Sequence, residues 1–353
     1  MRSNDLPTLC MQGFFILARV GLLLLIFLVG CGVPAPTGRP TAATANITPP
    51  PQASPTLTST LIPTVTATPA PTVTALPSAT PLPTPAVLIG AGDVSYCGPD
   101  YLGDDQTAVL LGSLLAQNPQ AQVFIAGDVV QGEGLAWEYR DCFTPTWGRF
   151  IDRIHPAPGN HDYLTDGGAP YFAYFGTRAG APGAGYYSYD LGEWHIVALN
   201  SICTEVACGK DSTQVKWLRA DLAASRKSCT LLYWHYPRWS SGLAGGTGIP
   251  GAFWDAAAEF GAEIVVTGHD HDYERFDPLD AAGRPDPNGI LQFVAGTGGA
   301  ALRGWGTPAP HSALRNNDTW GLLKFSLYPG RYQWEFLPVA GQSFTDSGSG
   351  TCH

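Results

Sequence analysis

The chain carries no run of basic residues anywhere in its 353 positions, and its formal net charge is −10. A nucleic-acid surface needs clustered Lys and Arg to neutralise phosphates, so no nucleic-acid partner is expected. Long apolar runs are also missing. The longest unbroken one, residues 20–29, falls short of the roughly 20 apolar residues that a bilayer span needs. No cysteines sit at the close paired spacing of a zinc knot, which argues against a structural zinc site. The Gly-x-Ser-x-Gly elbow of serine hydrolases and any long-period repeat are absent as well. Histidine is scarce, with 8 in the whole chain, yet two of them stand with two aspartates in the stretch "HDHD" at 269–272.

What is present divides the chain into unequal parts. Arg2 and Arg19 precede the short apolar run, which suits the core of a secretion signal. The run closes on "LVGC", whose small residues before cysteine resemble a bacterial lipobox. On that reading residues 1–30 are a lipoprotein signal peptide, and Cys31 carries lipid and anchors the protein to a membrane outside the cytoplasm. Residues 31–85 are almost entirely Pro, Thr, Ala and Ser. Such a composition cannot bury a core and predicts a disordered, extended tether. Residues 86–353 then suit one large α/β domain.

Within that domain, short β-branched or apolar runs alternate with amphipathic segments, the pattern of an α/β layered fold. The runs are "VLIGAGD", "QVFIAGD", "HIVALN", "TLLYWH" and "EIVVTGHDH". Helices are predicted over 104–117, over 212–225 with Ser212 as cap, and over "FWDAAAEFGA" ending at Gly261. The tail, including "LQFVAGTG", reads as strands of antiparallel character.

The apolar runs end on the residues that carry chemistry: Asp93, Asp128, His235, then His269 and His271. A Pro/Gly loop, "HPAPGNHDY", adds Asn160 and His161. Ligands bind beyond the carboxyl ends of strands in open α/β sheets, so these ends should converge on one place. Any one of them alone would be an ordinary turn or core residue. A set of Asp, Asn and His without cysteine suits ions of intermediate hardness such as Fe, Mn or Zn, and there are enough ligands for two.

With its motifs "GD" at Asp93, "GD" at Asp128, "GNHD" at 159–162, "WHYP" at 234–237 and "GHDHDYER" at 268–275, the chain resembles the calcineurin-like metallophosphoesterases. The resemblance is strongest to the purple acid phosphatases and their bacterial relatives. It implies a four-layer α/β/β/α sandwich and a centre of two metal ions. Asp128 would bridge them, Asp93 and His271 would complete the first site, and Asn160, His235 and His269 the second. His161 would contact phosphate or protonate the leaving oxygen, and the substrate would be a small phosphate ester. Two ions roughly 3.5–4 Å apart can neutralise a phosphate and bring a bound water's pKa down toward about 7.

Two departures from the family pattern stand out. The first metal normally gains a His two residues after the first Asp, or in the purple enzymes a Tyr three residues after the second. Here those positions hold Ser95 and Gln131. The purple colour comes from that tyrosinate on ferric iron, so a colourless enzyme is expected. Tyr96 reads either as a substitute ligand or as a surface or packing residue. The extra histidines that plant and animal enzymes carry after "HxP" are missing from "RWSSGLAGGTGIPG", leaving Arg238 as a candidate phosphate contact. Tyr163 is a second candidate for lining the pocket. The segment "GTGGAALRGWG" reads as a loop at the site mouth, and Arg315, Asn316 and Asn317 read as a braced turn or substrate contacts. Tyr273 and Arg275 read as braces of the "GHDH" loop.

Of the 8 cysteines, Cys10 lies in the leader and Cys31 would carry lipid. Cys97, Cys142, Cys203, Cys208, Cys229 and Cys352 remain, an even set for an exported domain. Cys203 with Cys208 is the simplest pair because the loop is short. Cys97 with Cys142 and Cys229 with Cys352 would follow, although sequence alone leaves the other pairings open. A phosphodiesterase with the same site, and a surface binding or adhesion module on a degenerate scaffold, are the competing functional readings.

Overall fold

The computed structural model describes residues 84–98 and 103–353. The expected leader, Cys31 and nearly all of the tether lie outside the described residues. Along the chain the first strands are β1 (Ala86–Ala91), β2 (Gln122–Ala126), β3 (Ile154–Ala157), β4 (Tyr187–Leu191), β5 (Trp194–Ala198) and β6 (Cys229–Tyr233). They are followed by β7 (Ile264–Thr267), β8 (Tyr273–Phe276), β9 (Leu291–Ala295), β10 (Ser312–Asn316), β11 (Gly321–Tyr328), β12 (Arg331–Pro338) and β13 (Asp346–Thr351). The α-helices are α1 (Gly103–Gln117), α2 (Ala136–Glu138), α3 (Ala169–Phe175), α4 (Thr213–Ala224) and α5 (Gly251–Glu259).

Alternation along the central strands builds the layers. In β1, Leu88 points into one apolar cluster while Val87, Ile89 and Ala91 point into another, so the strand is covered on both faces. One sheet runs β13-β12-β11-β1-β2-β3 and the other β10-β8-β9-β7-β6-β5-β4. The cluster between them joins Leu88, Phe124 and Phe325 of the first sheet to Ile196, Tyr233, Val266 and Phe293 of the second. On the outer face of the first sheet, Ile89, Val123 and Ile125 pack on Ala108, Leu111 and Leu115 of α1. On the outer face of the second, Val197, Leu232 and Val265 pack on Leu218 of α4 and Trp254 of α5. The order is therefore helix, sheet, sheet, helix, the mixed α/β sandwich that the sequence reading anticipated.

The predicted helices form close to their expected limits. Ser212 caps α4 by accepting from the Val215 N–H at 3.2 Å, and Gly261 follows α5 with φ +63°, a backbone angle that glycine adopts without cost. One element departs from expectation. β9 was expected in an antiparallel tail, but it inserts between β7 and β8, parallel to β7 and antiparallel to β8. Its run of five buried residues fills the sheet interior from both sides, which a strand of either direction can do. The insertion brings the loop after β9 to the same end of the sheets as the loops after β1, β2, β6 and β7.

Three disulfides close the domain: Cys97–Cys142, Cys203–Cys208 and Cys229–Cys352. Among the described residues, no helix is long and apolar enough to cross a membrane.

Candidate metal centre

Each acidic or imidazole group sits on the first residues beyond a parallel strand. Asp93 follows β1, Asp128 follows β2, Asn160 and His161 follow β3, His235 follows β6, and His269 and His271 follow β7. Three of these loops come from one sheet and two from the other, so the site spans the seam between sheets. The backbone bends sharply to aim them: φ is +59° at Asp93, +48° at Asp128 and +71° at His269. Left-handed angles at residues with a Cβ are costly and cluster where a side chain must be aimed for function. Two glycines make the approach possible. A Cβ on Gly159 would lie 2.1 Å from Asp128 Oδ1, and one on Gly127, at φ +84°, would lie 2.4 Å from the His235 ring.

His235, Asn160, Asp128 and His269 close on one point. His235 Nδ1 faces the Ala126 carbonyl at 3.1 Å, which places a proton there. Its Nε2 then looks onto Asn160 Oδ1 at 3.0 Å, His269 Nδ1 at 3.2 Å and Asp128 Oδ2 at 3.3 Å. With Nδ1 turned to Ala126, His235 Nε2 faces two oxygen acceptors, Asn160 Oδ1 and Asp128 Oδ2, an arrangement that a cation or an extra proton satisfies. Burial works against charging His235, but Asp128 and Asp93 outweigh it and raise its pKa to about 9. For His269, burial and the neighbouring His235 depress the pKa to about 4. Ligand atoms of Asp128, His235 and His269 all lie within 4.8 Å of one another.

A second point lies between Asp93 and His271. His271 Nδ1 donates to the Ala301 carbonyl at 2.7 Å, and its buried Nε2 stands 3.3 Å from Asp93 Oδ1 without a hydrogen-bond partner. Burial pushes the Asp93 carboxyl up, but His271, His235 and His269 outweigh it and hold it below the ordinary carboxylate value. Asp128 behaves alike: burial raises it, and facing His235 more than offsets that. The donor set fits divalent or trivalent ions bound by O and N atoms at both points. Cys229, Glu263 and Cys352 also cluster, but the two sulfurs are spent in a disulfide.

His161 lies beside this set. Its backbone N–H donates to Asp128 Oδ1 at 2.8 Å, its Nδ1 meets the Gly132 carbonyl at 2.7 Å, and its Nε2 stands 4.0 Å from Asp128 Oδ2. The ring is partly exposed on a cavity of about 190 Å³, lined also by Tyr96, Gln131, His271 and Arg303. The position of this loop is set by Asp162, which accepts from Val129 N–H at 3.2 Å, Gly159 N–H at 2.8 Å and Tyr139 O–H at 2.7 Å.

The departures from the family pattern have clear placements. Ser95 is buried with Oγ 3.4 Å from Thr146 Oγ1. Gln131 Nε2 donates to Asp93 Oδ1 at 3.3 Å, and Tyr96 stands at the cavity wall. Arg238 turns elsewhere, stacked over Trp239 at 5.0 Å and donating to the Thr247 carbonyl at 3.4 Å. Tyr163 is nearly buried; its hydroxyl accepts from Asn200 Nδ2 at 2.7 Å, and burial raises its pKa to about 12. Neither Arg238 nor Tyr163 lines the cavity. Tyr273 and Arg275 both donate to Asp346 Oδ2 at 2.6 Å and tie the "GHDH" loop to β13. Asn317 braces a turn through the Arg303 carbonyl at 2.8 Å, and Arg315 stacks on Trp305 at 5.1 Å. Asp162 and Arg303 escaped the sequence reading. The only signal for Arg303 was its place in the Gly-rich segment after an apolar run.

Residues 87–273, just over half of the chain, match the family model described as calcineurin-like phosphoesterase. Purple acid phosphatase 15 of Arabidopsis thaliana is 26% identical over 235 residues, covering 61% of this chain and 40% of that protein. Purple acid phosphatase PPD1 from yellow lupin (Lupinus luteus) seeds shares the fold with a TM-score of 0.65. It is 18% identical over 75% of this chain and 53% of its own. GAP50, the anchor in the inner membrane complex of Plasmodium, shares it with a TM-score of 0.57. It is 13% identical over 77% of this chain and 90% of its own. The chain thus spans 40% of the length of the Arabidopsis relative.

Proposed function

This chain belongs to the calcineurin-like phosphoesterase family, and on that premise we propose that it is an exported, metal-dependent phosphatase hydrolysing small phosphomonoesters. Its leader and Cys31 would place it outside the cytoplasm on a lipid anchor, with residues 31–85 as the tether. The observation that carries the chemistry is the pair of imidazole Nε2 atoms, His235 and His271. Each turns its own Nδ1 to a backbone carbonyl, and each thereby presents Nε2 to a carboxylate.

Asp128 would stand between two ions, with Asp93 and His271 on one and Asn160, His235 and His269 on the other. When bound, the ions, of the Fe, Mn or Zn class, supply charge neutralisation for the phosphate and an activated water. The protein's own groups do the rest. The Ala126 and Ala301 carbonyls fix the ring orientation of His235 and His271. Gly132 fixes His161 with Nε2 as the exchangeable nitrogen, placed to pass a proton to the leaving oxygen.

A binding module on the same scaffold is the second reading. It is favoured by Ser95 and Gln131 at the first site and by the fold shared with GAP50, an anchor protein. Phosphodiester cleavage by the same site is the nearer chemical alternative. Elemental analysis of the purified protein, with hydrolysis of an aryl phosphate measured in parallel, decides between them. Two metal ions per chain with turnover support the phosphatase. One ion or none after metal loading, with no turnover, would move the assignment to the binding module.

A further inference from the structure

We propose that Arg303 is the residue that grips the substrate phosphate and sets the preference for monoesters over diesters. The inference rests on the phosphoesterase reading and adds to it a residue outside the family's motifs.

Arg303 follows β9, the strand whose parallel insertion brings a sixth loop to the site. Successive backbone bonds pin that loop to the centre. Gly298 N–H donates to the Gly92 carbonyl at 2.9 Å, Ala300 N–H to Asp93 at 3.0 Å and Arg303 N–H to His271 at 3.0 Å. Asn317 Nδ2 holds the Arg303 carbonyl at 2.8 Å, so the main chain of this residue is fixed from both sides. The side chain is held far less. Its guanidinium makes one long hydrogen bond, Nη1 to the His269 carbonyl at 3.5 Å. Among the described residues no carboxylate pairs with it.

Arg303 lines the cavity that also holds His161 and His271, and among the described residues no other Lys or Arg lines it. Arg238, the cation expected from sequence, is committed to Trp239 and Thr247. A phosphate presented to Asp93, Asp128 and their ions therefore meets Arg303 as the one Lys or Arg at the cavity wall among the described residues. A planar fork of N–H donors suits two unesterified phosphate oxygens at once. A monoester dianion has three unesterified oxygens and can give two to the guanidinium while the third faces the centre. A diester, with one charge fewer and a second ester group in place of an oxygen, offers less. Hence the same contact both binds and discriminates.

The test compares the full-length protein with Arg303→Ala and Arg303→Lys. Metal content, inorganic phosphate binding by calorimetry, and kinetics on an aryl phosphate monoester and a bis-aryl phosphate diester are measured. Because the backbone contacts survive substitution, metal content and folding should be unchanged. Arg303→Ala should raise the phosphate Kd and the monoester KM by about 10–100-fold, the range expected for a charge-assisted pair. Its monoester-to-diester ratio of kcat/KM should fall by about tenfold or more, with Arg303→Lys between it and the parent. An unchanged phosphate Kd and ratio in Arg303→Ala, beside an active parent, would overturn the assignment of Arg303 alone. A metal-loaded parent that neither binds phosphate nor hydrolyses either ester would overturn the phosphoesterase reading and the inference with it.

Discussion

Gln131 Nε2 donates to Asp93 Oδ1 across 3.3 Å, the same oxygen that faces His271 Nε2. A neutral amide thus occupies the place where purple enzymes put a tyrosinate. Gln131→Tyr should restore that ligand. After iron loading, the variant should show a broad visible absorption band that the parent lacks, read by absorption spectroscopy against iron content. An iron-bearing variant without colour would show that position 131 does not reach the metal.

His161 should matter for turnover and not for metal. Its backbone N–H, not its ring, holds Asp128 at 2.8 Å, so His161→Ala keeps that bond. We expect kcat to fall by about 10²–10⁴-fold, the usual weight of a positioned acid. Metal content by elemental analysis should stay at the parent level. Loss of metal together with activity would assign the ring to the metal site instead.

Two histidines should pull stability in opposite directions with pH. His155, stacked on Tyr189 with ring centroids 4.0 Å apart, is depressed to about 4 by burial and by Arg178. Below its ordinary value of 6.5 the unfolded chain binds the proton first. Stability from neutral His155 is therefore full above that value and lost as pH falls toward 4, by about 3 kcal/mol.

For His195, burial lowers the pKa, but Asp221 at 2.9 Å and Asp190 at 3.0 Å outweigh it and raise the net value. Its contribution is full below 6.5 and lost as pH rises through the folded value. Chemical denaturation across pH should show His155→Gln flattening the acid limb and His195→Gln the limb above neutrality. Parallel curves for parent and variants would contradict both.

The disulfides should differ in weight. Cys229–Cys352 closes 123 residues, whereas Cys203–Cys208 closes 5. On loop-closure entropy the first is worth about 5 kcal/mol and the second about 2 kcal/mol. Thermal unfolding of the Cys229→Ser/Cys352→Ser pair should show a larger drop in Tm than the Cys203→Ser/Cys208→Ser pair. An equal or smaller drop would place the stabilisation elsewhere.

Much of the site was legible because its residues are local to recognisable strand ends. The apolar runs before Asp93, Asp128, His235 and His269 had to be buried strands, and polar groups at their ends had to gather at one edge of the sheets. Ser212 as a helix cap was legible for the same reason, since its bond to Val215 is three residues away. Arg238 and Arg303 show where such reading stops. Adjacency to "HYP" favoured Arg238, yet Trp239 and the Thr247 carbonyl draw it aside.

The sequence by itself determined the layered α/β class and the polar residues that end its apolar strands, because periodicity and composition are properties of neighbouring residues. Tertiary structure alone decided that β9 enters beside β7, that Arg303 reaches the cavity and that Cys229 meets Cys352. Those outcomes depend on sheet order and on backbone hydrogen bonds between segments far apart in the chain, such as Arg303 to His271. Local pattern carries no information about which of several burial-competent strands will pair.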